Sequence, residues 1–283
     1  MDESRMGFSA ATAASLLSRI REKRPLIHNM TNMVAASITA NATMAAGAVP
    51  VMALAAEEVA DMVGQADALV LNMGTPTPQS VEAMVIAGKA ANQRGIPVVY
   101  DPVGLGTTPF RLASAERILA AVRPSVIRGN PAEVARLTGR QAGIKGVESA
   151  RVDIPPEKLS VEAALRLHAV VAVTGPKDYV SDGWRLITVE GGHPLMAQIV
   201  GSGCVATSIV AAFCSVERDY ALAAACALAY LKASARLAAP SSGGPGTFQA
   251  RWLDAMASIT PEELIALCAI SLEWVDGAER RGP

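Results

Sequence analysis

The residues best suited to chemistry lie in Gly201-Ser202-Gly203-Cys204, a glycine-rich loop that runs straight into the apolar stretch 205–216. Glycines let a backbone approach a ligand closely. The unpaired amides of a helix start present the positive end of its dipole, which suits a phosphate whose charge grows during transfer. Cys204 falls in the first helical residues, where the same field favours the thiolate and would lower the pKa of a thiol that accepts a proton from a hydroxyl. Taken alone, such loops are common, and a cysteine at a helix start is more often a small packed residue.

Four further groups follow apolar runs. Gly129-Asn130-Pro131-Ala132-Glu133 comes after a strand ending at Arg128, with Pro131 suited to a first helical turn. Asn130 and Glu133 there suit either magnesium held through its waters or a capping box, and the local pattern does not choose between them. Asp101-Pro102-Val103-Gly104 puts a carboxylate before a tight turn, for metal or phosphates, although Asp before Pro also simply makes turns. Thr174-Gly175 ends another run and offers a hydroxyl and a close backbone to nucleotide phosphates, whose charge Arg128 can neutralise. His28-Asn29-Met30-Thr31-Asn32-Met33-Val34, with Pro50-Val51-Met52, would line a half-apolar pocket for a small ring, or else serve as cap, core and satisfied histidine. His168 and His193 read as bystanders, and Cys214, Cys226 and Cys268, on apolar helical stretches, as core.

Positioning these residues requires strands that end beside them. Runs at 48–54, 68–73, 96–101, 125–128 and 169–174 are continuously apolar, as buried parallel strands are. Helical stretches at 80–94, 112–122 and 159–168 lie between them. A small-residue helix follows Val34 and runs through Ala45. From Tyr179 the rhythm changes to a hairpin, 179–181 and 184–189 around Asp182-Gly183, which predicts an antiparallel edge. Residues 205–216, 220–238 and 261–274 are predicted helical, the last opened by Thr260 as cap with Pro261 next, and 241–246 is predicted as a loop. In an open parallel sheet, ligands sit outside the carboxyl ends of the strands, where the groups above are found.

Composition narrows the class. With 51% hydrophobic but only 4% aromatic residues, the core must be built from Ala, Val, Leu, Ile and Met, and no linker divides the 283 residues, so one domain over 1–283 is expected. Twenty-five basic against 26 acidic side chains form no basic patch, which argues against nucleic acid. The N-terminus lacks the pattern of a secretion signal, and residues 221–231 are too short to span a membrane and are followed by Lys232 and Arg236. Four cysteines without close pairs suit a reducing compartment, so a cytoplasmic location is expected.

The set His28-Asn29-Met30-Thr31-Asn32, Pro50-Val51-Met52, Leu71-Asn72-Met73-Gly74-Thr75, Asp101-Pro102-Val103-Gly104, Ile127-Arg128-Gly129-Asn130, Val173-Thr174-Gly175 and Gly201-Ser202-Gly203-Cys204 resembles, in order and spacing, the hydroxyethylthiazole kinases from about residue 25 to 248. The resemblance implies a ribokinase-like three-layer α/β/α sandwich with a mainly parallel sheet and an antiparallel edge. It implies transfer of the γ-phosphoryl group of ATP, with Mg2+, to the hydroxyethyl group of 4-methyl-5-(2-hydroxyethyl)thiazole for thiamine biosynthesis, and a homotrimer with active sites at subunit interfaces. It implies Cys204 as the catalytic group, where related sugar and pyrimidine kinases carry Asp. Met52, Gly201 and Asn32 fall to the thiazole, Arg128, Thr174 and Gly203 to ATP, and Asp101, Asn130 and Glu133 to the metal. Ser202 stands where the family pattern has Thr or Ala, and Met30 and Met33 replace smaller or β-branched residues. Other readings are a vitamin-precursor or sugar kinase, a nucleotide-dependent dehydratase on the same fold, and a sensor that binds without turnover.

Overall fold

The computed structural model describes residues 9–140 and 152–275. In chain order the elements are α1 (Ala10–Lys23), β1 (Leu26–Met30), α2 (Ala36–Ala45), β2 (Val49–Val51), α3 (Val59–Gln65), β3 (Ala68–Asn72), α4 (Pro78–Arg94), β4 (Val98–Asp101), α5 (Pro109–Ala121), β5 (Val126–Gly129) and α6 (Pro131–Leu137). After the interval outside the described residues come α7 (Pro156–Leu167), β6 (Val170–Val173), β7 (Asp178–Ser181), β8 (Arg185–Glu190), α8 (Ser202–Cys214), α9 (Tyr220–Ala238), α10 (Pro245–Ser258), α11 (Pro261–Leu267) and β9 (Ala269–Trp274).

Local chemistry accounts for many of the boundaries. Thr77, Thr108 and Thr260 each cap the helix that follows by accepting an amide proton of its first turn, with Pro at the next position, where its missing N–H is no loss. Gly95 closes α4 in the left-handed conformation that favours glycine.

The nine strands form one sheet in the order β2-β1-β3-β4-β5-β6-β7-β8-β9. The first six pair in parallel and the last three antiparallel. Side chains alternate across the sheet. Ala68, Val70 and Val99 join one apolar cluster with α1, α2 and the C-terminal helices, whereas Leu69, Leu71, Val98 and Tyr100 join a second with α4, α5 and α7. The two clusters make the predicted three-layer α/β/α sandwich with its antiparallel edge. The stretch Tyr220–Ser241, α9 and the short turn after it, is apolar and long enough to cross a membrane, but 89% of its apolar window is buried inside the fold. It is a core helix, and its alanines let α8 and β8 pack closely against it.

Three expectations need correction. Residues 261–274 are not one helix: α11 stops at Leu267, and Ala269–Trp274, whose apolar and polar residues alternate, pairs with β8 along its whole length. An unpaired β8 edge is a stronger demand than helix continuation. The strand at 48–54 shrinks to Val49–Val51, and the loop at 241–246 is shortened because α10 already starts at Pro245.

Candidate active site

Chain order reverses around β1, with β2 on one side and β3 on the other, which in open parallel sheets opens a crevice at the carboxyl edge. Register sets the strand ends level there: Met30 lies beside Leu71, and Asn72 beside Asp101, while Gly129 lies beside Val173 farther along. The predicted residues Asn32, Asp101, Arg128, Asn130 and Thr174 therefore gather on one edge, and α8 starts over it.

Cys204 is held by two amides. Asn32 Nδ2 donates to its Sγ at 3.2 Å and to Asn72 Oδ1 at 2.8 Å; Asn72 Nδ2 donates to Sγ at 3.3 Å and to Asp101 Oδ2 at 2.8 Å. Thr207 Oγ1 donates to the same Asp101 oxygen at 2.6 Å, and Arg128 Nη1 stands 3.8 Å from it. Asn72 and Thr207 had no assigned role in the sequence reading. Thr207 lies three residues after Cys204, hence on the same helix face, which is the signal that would have found it. Asn72 was visible as the polar residue ending an apolar strand and as a member of the Leu71–Thr75 motif, with no role attached to it.

The expected low thiol pKa does not hold in the free protein. Burial pushes the Cys204 thiol up to about 11, and the negative charge of Asp101 adds to this against the two asparagine donors and Arg128. Gly201, the cap of α8, has φ 89, and a Cβ there would come within 2.9 Å of the Cβ of Ala35, so only glycine lets the loop pass α2. The helix start has no side-chain cap, as expected for an anion site. Gly203 leaves room for Arg128, whose Nη1 would be 2.7 Å from an added Cβ.

A cavity of about 590 Å³ opens beside this cluster, lined by Arg128, Thr174, Gly203, Asp178, His193 and Lys232 among others. Arg128 Nη2 donates to Thr174 Oγ1 inside it. Cys204, Asn32 and Met52 are outside its lining; Met52 is half-buried just past β2. The loop of α8 thus separates a nucleotide-sized space from the thiol. His193, expected as a bystander, lines the cavity, and its Nδ1 caps the short turn Pro194–Gln198.

Asn130 and Glu133 form a complete capping box: Asn130 Oδ1 accepts from the Glu133 amide at 2.9 Å, and Glu133 Oε2 from the Asn130 amide at 2.9 Å. Glu133 Oε1 accepts from Gly104 N at 2.8 Å. Burial, then the charge of Asp101, pushes Glu133 up to about 7, while burial raises Asp101 against the pull of Arg128, Thr207 and Asn72. Asp101 Oδ1 is buried without a partner. Asp101, Asn130 and Glu133 are outside the cavity lining, but two buried carboxylates that repel each other are a hard oxygen set that suits a divalent cation. Among the described residues no group of three or more His, Cys, Asp or Glu makes a closed cage. The set therefore fits magnesium held largely by water and phosphate oxygens.

The fold defines the class first: a ribokinase-like superfamily protein from Enterococcus faecalis V583 superposes with TM-score 0.61 at 15% identity, over 88% of this chain and 95% of that one. Closer likeness narrows it. The family model for the hydroxyethylthiazole kinase family matches residues 17–262. A hydroxyethylthiazole kinase of Moorella thermoacetica is 50% identical over 251 residues, 89% of this chain and 94% of that protein. The structure of the hydroxyethylthiazole kinase from Pyrococcus horikoshii OT3 superposes with TM-score 0.82 at 34% identity, over 92% and 98% of the two chains. The chain belongs to the hydroxyethylthiazole kinase family, and the fold and kinase chemistry expected from its sequence hold.

Proposed function

We propose that this chain transfers the γ-phosphoryl group of ATP to the hydroxyethyl group of 4-methyl-5-(2-hydroxyethyl)thiazole, giving ADP and the thiazole phosphate for thiamine biosynthesis. One observation carries this reading: a buried thiol, fixed by Asn32 and Asn72 at the uncapped start of α8, is separated by Gly201–Gly203 from a cavity containing Arg128. An alcohol on the Cys204 side and a triphosphate on the Arg128 side would face each other across the loop.

In this scheme Asn32, Met52 and Gly201 form the wall against the thiazole, and Arg128, Thr174 and Gly203 hold the nucleotide. Asp101, Asn130 and Glu133 organise Mg2+, which when bound supplies charge neutralisation of the phosphates. The first-turn amides of α8 and Arg128 stabilise charge on the moving group. Cys204 orients the alcohol and takes its proton late, because a loose transition state asks little of a base before the phosphoryl group moves. A thiol pushed up to about 11 carries its own proton at neutral pH in the free protein, so only the thiolate fraction can accept the alcohol's proton and orienting the alcohol is the larger part of its role.

The chain works as one kinase domain, in the cytoplasm, and as a homotrimer. Support for assembly comes from apolar exposure around the thiol side of the site: Met33 is 83%, Val34 66% and Val200 73% exposed, with Met44 and Leu54 also on the surface. An enzyme that binds a small ring needs that side covered, and a neighbouring subunit would cover it.

The decisive experiment measures ADP release from Mg-ATP with and without the thiazole alcohol, with the mass of the product checked. Thiazole-dependent ADP and a phosphorylated thiazole are expected. ATP turnover indifferent to the thiazole would overturn the substrate assignment.

A further inference from the structure

One charged pair in the nucleotide cavity is not used by the scheme above. Lys232, on α9, is 5% exposed, and its ammonium meets three oxygens: Pro176 O at 2.8 Å, Asp178 Oδ2 at 3.3 Å and Gly175 O at 3.4 Å. An ammonium has three protons, so none is left to bond a substrate. Asp178 is 3% exposed, and its other oxygen accepts from the Gly175 amide at 2.9 Å. The oxygens sit on the turn between β6 and β7, immediately after Thr174, whose hydroxyl accepts from Arg128. Leu228 and Leu231, one helical turn and one residue before Lys232, line the cavity beside it. Two main-chain carbonyls and a carboxylate converging on one buried point is an arrangement that repels itself unless a cation sits there.

We propose that Lys232 is a built-in monovalent cation, a positioning residue whose ammonium fixes the Gly175–Asp178 turn and, through Thr174 and Arg128, the nucleotide wall, and that the enzyme therefore needs no potassium or ammonium ion from solution. The oxygen set is that of a small monovalent-cation site with the ion supplied on a side chain. This inference rests on the cavity being the nucleotide site.

The test compares wild type, Lys232→Ala and the double variant Lys232→Met with Asp178→Asn, assayed in buffers whose only cation besides magnesium is tetramethylammonium, then with added potassium, ammonium, sodium or lithium chloride. Wild type is expected to be indifferent to the added ion. Lys232→Ala empties the oxygen cluster, so KM for ATP should rise by about tenfold or more, as expected when one partner of a buried pair is removed, with KM for the thiazole unchanged. Potassium and ammonium should restore it, and lithium should not. The double variant removes both charges and fills the space, so it should fold stably yet stay weak for ATP and respond to no ion. Folding of each variant is checked by thermal unfolding.

An ATP KM unaffected by Lys232→Ala, a loss in a folded variant that no ion restores, or a double variant with wild-type ATP KM would overturn the proposal. Arg128→Ala is assayed alongside: if it too leaves KM for ATP unchanged, the cavity is not the nucleotide site, and the failure belongs to that reading.

Discussion

At the scale of single residues, the thiol is the centre of the site and the least expected in its electrostatics. A helix start lowers a thiol pKa in an open position, but Cys204 is buried beside Asp101, and burial wins. Alkylation of Cys204 in the free protein should therefore be slow at neutral pH and accelerate as pH rises toward 11; mass spectrometry of the labelled peptide across pH measures it, and rapid labelling at pH 7 would contradict the burial argument. Cys204→Ala should lower kcat by about 100-fold while leaving measurable turnover, because loop and Arg128 remain. Equal activity in that variant would remove Cys204 from the proton path. Glu133 gives a second pH signature. Its carboxyl binds its proton more tightly folded, at about 7, than at the ordinary 4.5. Its contribution to stability is thus complete below pH 4.5 and is lost as pH rises through 7, by an amount on the order of 3 kcal/mol. The difference in unfolding free energy between wild type and Glu133→Gln, followed by denaturant titration from pH 4 to 8, should show this slope in the absence of magnesium and nucleotide.

At the scale of elements, the site depends on strand ends and one helix start staying level, and the glycines show how narrow the tolerance is. Gly203→Ala would push against Arg128 Nη1, so KM for ATP should rise by about tenfold while the fold persists, since misplacement near the reacting groups is costly. As a control, Thr260→Ala removes the cap of α11, which packs mainly on α1; it should cost about 1 kcal/mol in thermal unfolding with activity unchanged. The sequence displayed most of this layer. Continuous apolar runs announced β3 to β6, and the turn at Asp182-Gly183 announced β7 and β8. It hid β1, whose five residues include His28 and Asn29, polar yet entirely buried, with His28 Nε2 bonded to Ala53 O at 2.8 Å. It also hid β9, because Thr260 and Pro261 announce a helix so clearly that the alternation after Leu267 was read as its continuation. Of the site, the residues carried by motifs were legible, but the contacts of Asn72 and Thr207 depend on strand register and helix phase, which only folding brings together.

At the scale of the whole molecule, the exposed apolar side chains beside the thiol make assembly a testable matter. If the proposed trimer forms, Met33→Asp combined with Val200→Asp should reduce the mass seen in sedimentation to that of a monomer and weaken thiazole binding more than ATP binding; a monomeric wild type with full activity would argue against shared sites. The two margins of the sheet, finally, are guarded unequally. β2 offers three residues with Pro50 among them, a poor template for another chain, whereas β9 offers six residues, four of them exposed, laid along β8. Shortening the chain before Ala269 would leave the catalytic edge intact but uncover the backbone of β8, so the damage would show first as loss of solubility through strand-to-strand aggregation.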